Sequence, residues 1–289
     1  MKYLRLLPIL MVSLYILTAC KDDPMDIQID EDRYVKMNNG MNIHYRIIGK
    51  KNFTNTMVFI AGWTNPVTVY TKQFDYFRDK ALCIYIDVPG QGTSDAPEDV
   101  EYTMELMADA IYTVVDKEDI TRFTGVGFSF GYSPLTQFER QHQGLIDKMV
   151  LLDIGLQTWP PWTTEMREAN YETQKAWTKE VKTGMLNVLI PPATAPQDLI
   201  TFGEYFPDYP SWLLANIFYH FVAEDACQPY QWNIPSMAIY RITTPELETT
   251  VDLYFPDCEI SVIGGDQHVI QWAYHDVVNP KIWDFVKSP

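Results

Sequence analysis

Short apolar runs alternate with longer segments of helical periodicity between residues 56 and 154. The apolar runs lie at 56–61, 81–87, 122–128 and 148–154, and the helical segments at 66–80, 103–117 and 131–144. Apolar strands that alternate with helices form parallel sheets covered on both faces. Ahead of them, Arg33–Met37 and Met41–Ile48 flank an Asn-Asn-Gly turn, which predicts a β-hairpin. The pattern therefore predicts an α/β fold with a mostly parallel sheet.

The alternation is interrupted over residues 155–233, where no strand pattern occurs and helical periodicity appears near 164–187 and 209–224. It then resumes with strands at 236–242 and 258–263 and helices at 246–255 and 275–287. We therefore predict a core formed by residues 32–154 and 234–289. Residues 155–233 would form an inserted helical cap.

The N-terminus has the three parts of a targeting segment. Lys2 and Arg5 are positively charged, and an apolar run from Leu6 to Leu17 follows, which is short for a membrane-spanning helix. The run ends in Leu-Thr-Ala-Cys at residues 17–20. This string resembles the lipobox of bacterial lipoproteins, which implies a signal peptide over residues 1–19.

The same resemblance implies that Cys20 carries acyl chains, which in that family include palmitate, and that the exported protein is anchored to a bacterial membrane. Residue 21 is Lys, whereas an Asp directly after the cysteine marks retention in the inner membrane of many Gram-negative bacteria. The outer membrane is therefore favoured. Residues 20–31 are polar and acidic and are interpreted as a tether.

The composition narrows the range of partners. The formal net charge is −16 and no block of basic residues is present, which disfavours binding to nucleic acid. No His/Cys cluster has the spacing of metal ligands, so we expect no metal and no other cofactor. Cys83 lies in a predicted buried strand. Export permits disulfides, and the sequence does not decide whether Cys227 and Cys258 form one.

The strongest chemical signal is Gly-Phe-Ser-Phe-Gly at residues 127–131, directly between the predicted strand 122–128 and the following helix. A strand that enters Gly-x-Ser-x-Gly and leaves as a helix is a nucleophile elbow, in which a tight turn lifts the serine hydroxyl to the end of the sheet. The sequence therefore predicts Ser129 as the nucleophile.

Two further strings resemble the α/β-hydrolase fold family, in a branch with a serine nucleophile similar to dehalogenases and esterases. Residues 59–63, Phe-Ile-Ala-Gly-Trp, resemble its oxyanion segment, with Ala61 where the family usually has histidine. Residues 86–95, Ile-Asp-Val-Pro-Gly-Gln-Gly-Thr-Ser-Asp, resemble a scaffold loop of the family. The resemblance implies that the amides of Trp63 and Phe130 form an oxyanion hole.

Among five histidines, His268 lies in a loop, Gly-Gly-Asp-Gln-His, that follows the last predicted strand. Active sites of such sheets gather at the carboxyl ends of the strands, and the family places its catalytic histidine in this loop. His268 is therefore the predicted base, and His275 in the final helix is the alternative.

The sequence offers three candidates for the acid. The family's commonest acid follows the strand 236–242, but the loop there reads Thr-Thr-Pro-Glu, without an aspartate. Some dehalogenase-like members place the acid about two dozen residues after the nucleophile, where this chain has Asp153. Asp153 is the first choice, Glu246 the alternative acid, and Glu248 the third candidate.

These features predict a hydrolase that cleaves an ester or similar acyl bond of a small molecule through an acyl-enzyme. The cap is rich in aromatic residues, among them Trp159, Trp162, Trp177 and Phe202, which suits an apolar or aromatic substrate. Serine at position 129 disfavours haloalkane dehalogenase and epoxide hydrolase chemistry, which require a carboxylate. Two alternatives stay open: a cofactor-free dioxygenase or carbon–carbon hydrolase on the same fold, and a non-catalytic binding lipoprotein.

Overall fold

The computed structural model of the protein describes residues 26–156, 160–223 and 230–288. Several predicted features lie outside the described residues: the leader 1–19, the lipidation site Cys20, Trp159 of the cap, and Cys227 of the possible disulfide. Within those three ranges, no helix combines the length and the apolar character needed to cross a membrane.

One sheet of eight strands forms the centre of the molecule, in the order β1-β2-β4-β3-β5-β6-β7-β8. The strands are β1 Ile29–Lys36, β2 Asn42–Gly49, β3 Thr56–Ile60, β4 Leu82–Ile86, β5 Phe123–Phe128, β6 Ile146–Leu152, β7 Ser236–Tyr240 and β8 Glu259–Val262. β1 and β2 are antiparallel to their neighbours, and β3 to β8 are parallel. The predicted mostly parallel sheet is confirmed.

Helices cover both faces of this sheet. The α-helices of the described ranges, including those of the cap, are α1 Thr71–Phe77, α2 Met104–Lys117, α3 Tyr132–Gln141, α4 Thr164–Lys175, α5 Lys179–Leu189, α6 Gln197–Gly203, α7 Ser211–Phe221, α8 Pro245–Tyr254, α9 Ile270–Ala273 and α10 His275–Lys287. Successive residues of β3 point into different cores: Val58 and Ile60 pack with α2, α3 and α8, whereas Met57 and Phe59 pack with α1 and α10. The sheet is therefore buried on both sides, which explains its near-continuous apolar strands.

The helices α4 to α7 are inserted between β6 and β7 and form the cap. The sequence pattern predicts one helical stretch over 164–187, but the structure has two helices there. The second begins after Thr178, whose hydroxyl accepts a hydrogen bond from the Val181 amide and so acts as an N-cap. The short helix α6 and the single turn of α9 have no counterpart in the prediction.

The first strand begins at Ile29, earlier than the predicted Arg33, so the last residues of the predicted tether belong to the sheet. Its side chains are mostly exposed, and the apolar pattern alone does not reveal it. Ion pairs replace apolar contacts here: Asp30 lies 2.6 Å from both Arg46 and Arg78. This edge of the sheet is therefore stabilised by charge pairing as well as by its backbone ladder.

Candidate active site

The nucleophile elbow follows β5 as the sequence predicts. Ser129 has a φ of 49°, in the left-handed region that a residue with a side chain rarely adopts. Two close approaches make this turn possible. A Cβ on Gly131 would lie 2.2 Å from the carbonyl oxygen of Ile60, and one on Gly127 would lie 2.7 Å from the Tyr132 amide. Both positions therefore require glycine.

The structure brings together Ser129, His268 and Asp153, which the sequence singled out separately. His268 Nε2 lies 2.9 Å from Ser129 Oγ, and His268 Nδ1 lies 2.6 Å from Asp153 Oδ2. The His268 ring packs against Phe128 with 5.0 Å between ring centroids, and only 16% of its side chain is exposed. The arrangement is the geometry of a serine nucleophile, its base and the acid that orients the base.

Asp153 lies at the end of β6 and is held by the neighbouring strand. Its amide donates to the Ile239 carbonyl at 2.8 Å, and its Oδ1 accepts from the Arg241 amide at 3.1 Å. In a parallel ladder that second bond belongs to a backbone carbonyl. The left-handed φ of Asp153, 44°, turns its backbone away, and the carboxylate takes the place of the carbonyl. The acid is thus fixed by the sheet itself.

The alternative residues have other partners. Glu246 is exposed in the first turn of α8, where its own amide and the Thr244 hydroxyl lower the pKa of the carboxyl group. Glu248 lies in the same exposed turn. His275 Nδ1 lies 3.0 Å from the Trp272 carbonyl oxygen. These contacts are typical of helix caps and helix surfaces. The carboxylate within hydrogen-bond distance of His268 is that of Asp153.

The predicted oxyanion segment passes beside the serine. A Cβ built on Gly62 would lie 3.4 Å from Ser129 Cβ, so the backbone leading to Trp63 runs next to the nucleophile. The Trp63 side chain points away into the cap, where its indole N–H donates to the Leu214 carbonyl at 3.3 Å. Phe130 directly follows Ser129 at the start of the turn into α3. Both amides therefore belong to the segments that border Ser129.

A cavity of about 140 Å³ opens over Ser129 and His268 between the sheet and the cap. Its walls are largely apolar and come from α5, α6 and the turn after α6: Met185, Leu186, Leu189, Ile190, Phe202 and Phe206, together with Phe128 and Val269 from the core. The cap and the core therefore contribute equal numbers of residues to the cavity wall.

One polar pair interrupts these apolar walls. Asn65 Nδ2, just after the oxyanion segment, donates to the Tyr205 hydroxyl of the cap at 2.8 Å. Burial raises the pKa of the Tyr205 phenol, so the hydroxyl stays neutral. The pair connects the cap to the loop beside the serine. No sequence pattern predicts this hydrogen bond, because neither Asn65 nor Tyr205 belongs to a recognisable motif.

The loop that carries His268 is also bonded to the cap. The His268 amide donates to the Leu189 carbonyl at 2.9 Å. Gln267 Nε2 donates to the Pro191 carbonyl at 3.1 Å and to the Thr194 hydroxyl at 2.8 Å. The segment after α5 is therefore attached directly to the histidine loop. These contacts join residues that are far apart in sequence, so no local sequence pattern predicts them.

The Asp-x-Pro-Gly string forms a scaffold loop near the site. Asp87 accepts hydrogen bonds from the Val67 and Thr93 amides at 2.7 and 3.1 Å and lies 2.7 Å from His44 Nδ1. A Cβ on Gly92 would lie 2.0 Å from the Asp87 carboxylate, which explains the glycine. Across the described ranges, no group of three or more His, Cys, Asp or Glu residues is arranged to hold a metal ion.

Several solved structures resemble this fold at low sequence identity. An esterase from Exiguobacterium antarcticum has a TM-score of 0.76 and 18% identity, covering 89% of this chain and 100% of its own. The enol-lactonase from Burkholderia xenovorans has a TM-score of 0.74 and 16% identity, with coverages of 89% and 100%. A thermophilic esterase from Thermogutta terrifontis has a TM-score of 0.73 and 16% identity, with coverages of 89% and 98%.

The family assignment comes from the sequence. A family model described as alpha/beta hydrolase fold matches residues 55–203, more than half of the chain. The match begins one residue before β3 and ends with α6, so it includes the elbow, Asp153 and much of the cap. The chain therefore belongs to the alpha/beta hydrolase fold family and is an enzyme of the hydrolase class.

Proposed function

We propose that the protein is a serine hydrolase that cleaves an ester or a similar acyl bond of a small molecule through an acyl-enzyme. The observation that carries the proposal is the hydrogen-bonded series from Ser129 Oγ through His268 to Asp153. A serine hydroxyl is a weak nucleophile unless a base within hydrogen-bond distance removes its proton. His268 Nε2, at 2.9 Å, is that base.

The chemistry follows from these contacts. Ser129 Oγ attacks the carbonyl carbon while His268 Nε2 takes the hydroxyl proton, and the amides of Trp63 and Phe130 donate to the developing oxyanion. His268 then gives the proton to the leaving oxygen, and the carbon–oxygen bond breaks. Water, deprotonated by His268, attacks the acyl carbon. The bond between that carbon and Ser129 Oγ then breaks as His268 returns the proton to Oγ, and the acid is released. Asp153 keeps the Nδ1–H tautomer and stabilises the imidazolium that forms twice in the cycle.

The cavity supports a small acyl group. An apolar cavity of roughly 150 Å³ is known to hold one benzene molecule, and the cavity over Ser129 measures about 140 Å³. Its walls of Leu186, Leu189 and Phe206 favour an aliphatic or aromatic group over a charged one. A short-chain or single-ring acyl ester therefore fits best, and long acyl chains would exceed the space.

A covalent probe tests the nucleophile. Residues 21–289 would be treated with a fluorophosphonate, and intact mass would be read for the parent, Ser129→Ala and Ser133→Ala. Ser133 is a buried serine in the first turn of α3 and serves as the matched control. We expect one adduct on the parent and on Ser133→Ala, and none on Ser129→Ala. A folded parent without an adduct would contradict the proposal.

The acyl group is tested with p-nitrophenyl acetate, butyrate, octanoate, decanoate and benzoate. The expected order places butyrate and benzoate highest in kcat/KM, with a loss of about ten-fold or more by decanoate. Leu186→Ala, which enlarges one wall, should recover part of the loss for the longer esters. Equal rates across the series would contradict a closed acyl cavity of this size.

The N-terminal lipobox supports export and lipid anchoring at Cys20 as part of the same proposal. The full-length chain would be expressed in a Gram-negative host fed an alkyne-labelled palmitate, followed by separation of the two membranes. Label should appear in the outer-membrane fraction and disappear in Cys20→Ser. A mature protein cleaved elsewhere, or without label, would rule out the anchor.

A further inference from the structure

A second residue contacts both oxygens of Asp153. Arg241, the first residue after β7, donates its amide to Asp153 Oδ1 at 3.1 Å. Its side-chain Nε forms an ion pair at 3.1 Å with Oδ2, the oxygen that also contacts His268 Nδ1 at 2.6 Å. The Asp153 side chain is 7% exposed and that of Arg241 is 24% exposed, so the contact is largely shielded from water.

The other end of the same guanidinium reaches the histidine loop. Arg241 Nη1 donates to the carbonyl oxygen of Asp266 at 2.6 Å, two residues before His268. One side chain thus joins the end of β6, the end of β7 and the loop after β8. The contact of Nε with Asp153 is electrostatic and without a hydrogen bond, whereas Nη1 donates a hydrogen bond to Asp266. The single ammonium of lysine cannot make both contacts in the same geometry.

The loop depends on such bonds for its position. Gly264 and Gly265 precede Asp266 with φ values of 80° and 108°. Neither residue has a side chain that could pack and fix the loop. The Tyr274 hydroxyl accepts from the amides of Asp266 and Gln267 at 3.0 and 3.2 Å. Arg241 is the contact that ties this loop to the same carboxylate that His268 must face. Its loss would remove one of the contacts that set the position of the loop beside Asp153, while the bonds to Tyr274 and to the cap remain.

We propose that Arg241 is a positioning residue of the active site, which clamps the acid and the histidine loop in one arrangement. The inference rests on the proposed hydrolysis. Arg241 acts through Asp153 and Asp266 and lies outside the residues that line the cavity. It therefore should affect turnover more than substrate binding.

The charge of Arg241 has a separate effect from its geometry. A cation beside Asp153 favours the carboxylate, but it also opposes a positive charge on His268 during catalysis. The titratable and charged groups around this pair are Asp153, Arg241, Asp266, Tyr240, Tyr274 and, across the cavity, Tyr205. Among these groups Arg241 is the cation in contact with Asp153, so its removal takes away a positive neighbour of the pair.

The two effects give a signature that a merely structural residue would not produce. In Arg241→Gln we expect kcat on the pH plateau to fall between about 10- and 100-fold with KM little changed. The acidic limb of kcat/KM should move to higher pH, because the variant no longer places a positive charge beside the Asp153–His268 pair. Arg241→Lys should have its acidic limb of kcat/KM at the same pH as the parent and should still lose part of kcat.

Arg46→Gln is the matched control. Arg46 is 27% exposed, pairs with Asp30 and Asp32, and lies on β2, which four strands separate from β7. It should change neither kcat nor the acidic limb. Equal behaviour of Arg241→Gln and Arg46→Gln, or a lower melting temperature of Arg241→Gln with unchanged kcat and limb, would overturn the proposal. If Arg241→Gln does not fold, an unchanged kcat in Arg241→Lys overturns it as well.

A measurement without turnover separates this inference from the proposed function. The ring signals of the histidines would be followed by NMR against pH, with His268 assigned from His268→Ala. The His268 signal should titrate at higher pH in Arg241→Gln than in the parent. If the parent takes no fluorophosphonate adduct, the hydrolase proposal fails, and the NMR shift alone decides on Arg241: its presence supports the clamp, and its absence overturns it.

Discussion

Asp153→Asn is the most informative single substitution in this site, because the structure separates its effect on shape from its effect on chemistry. Asn has the same outline and tolerates the left-handed φ of 44°. Its amide oxygen can still accept from the Arg241 amide. The remaining NH₂ group then faces His268 Nδ1 and forces that nitrogen to accept, so the other ring nitrogen carries the proton and cannot deprotonate Ser129.

The expected magnitude follows from this tautomer argument. The corresponding change in the chymotrypsin-type triad lowers kcat by about 10⁴, which at about 1.36 kcal/mol per ten-fold is roughly 5.4 kcal/mol in the barrier. Here the carboxylate is 7% exposed, so water cannot replace it easily. We expect kcat to fall between about 10³- and 10⁴-fold. The loss of a buried charged hydrogen bond should lower the free energy of unfolding by about 1 to 3 kcal/mol.

The assay combines ester hydrolysis, the rate of fluorophosphonate labelling and urea unfolding of the same samples. Glu246→Gln is the control, since Glu246 is the alternative acid and its side chain is exposed. It should keep kcat within about two-fold of the parent. A folded Asp153→Asn that loses less than about ten-fold, with Glu246→Gln as the impaired variant, would refute the assignment of the acid.

Three further substitutions test other parts of the structure. Gly131→Ala should destabilise the fold by more than about 4 kcal/mol or prevent folding, because the new Cβ would meet a β3 carbonyl at 2.2 Å; yield and urea unfolding report it. His44 is buried, which lowers its pKa, but Asp87 and Asp32 outweigh this and raise it overall. Its contribution to stability is present below the unfolded value of about 6.5 and is lost as pH rises through the raised folded pKa, so unfolding of His44→Asn should depend less on pH over that window. Tyr205→Phe should lower the free energy of unfolding by about 1 kcal/mol and reduce kcat/KM, because the cap loses its hydrogen bond to the oxyanion loop; an unchanged kcat/KM would leave that bond without a catalytic role.

The core of the fold could be predicted because its signals are local. The strand 122–128, the two glycines of the elbow and the following helix adjoin one another in sequence, so the pattern contains the whole turn. His268 could be predicted for a related reason: it follows the last strand, and parallel strands bring their carboxyl ends to one edge. Asp153 needed the resemblance, since only the family supplies the distance between nucleophile and acid.

The remaining features depend on contacts between distant parts of the chain. Arg241 follows a strand like many surface residues, and only the pairing of β6 with β7 places it against Asp153. Asn65 and Tyr205 meet because the cap folds back over the loop after β3. The break between α4 and α5 depends on capping by Thr178, in a stretch whose apolar periodicity runs on. In the first two cases the deciding contacts are tertiary, and local patterns do not contain them. The Thr178 cap is a local signal that the apolar periodicity masks.

The bonds between the cap and the histidine loop also bear on how a substrate enters. The Leu189 carbonyl accepts from the His268 amide, and Pro191 and Thr194 hold the neighbouring Gln267. Any motion that lifts this part of the cap breaks the hydrogen bond to the amide of His268, the proposed base. Opening on this side would therefore remove part of the support of the loop that carries His268, whose ring also contacts Asp153 and Ser129. If the site acts as proposed, it is competent only while the cap lies against the histidine loop, and these three hydrogen bonds must re-form before each turnover.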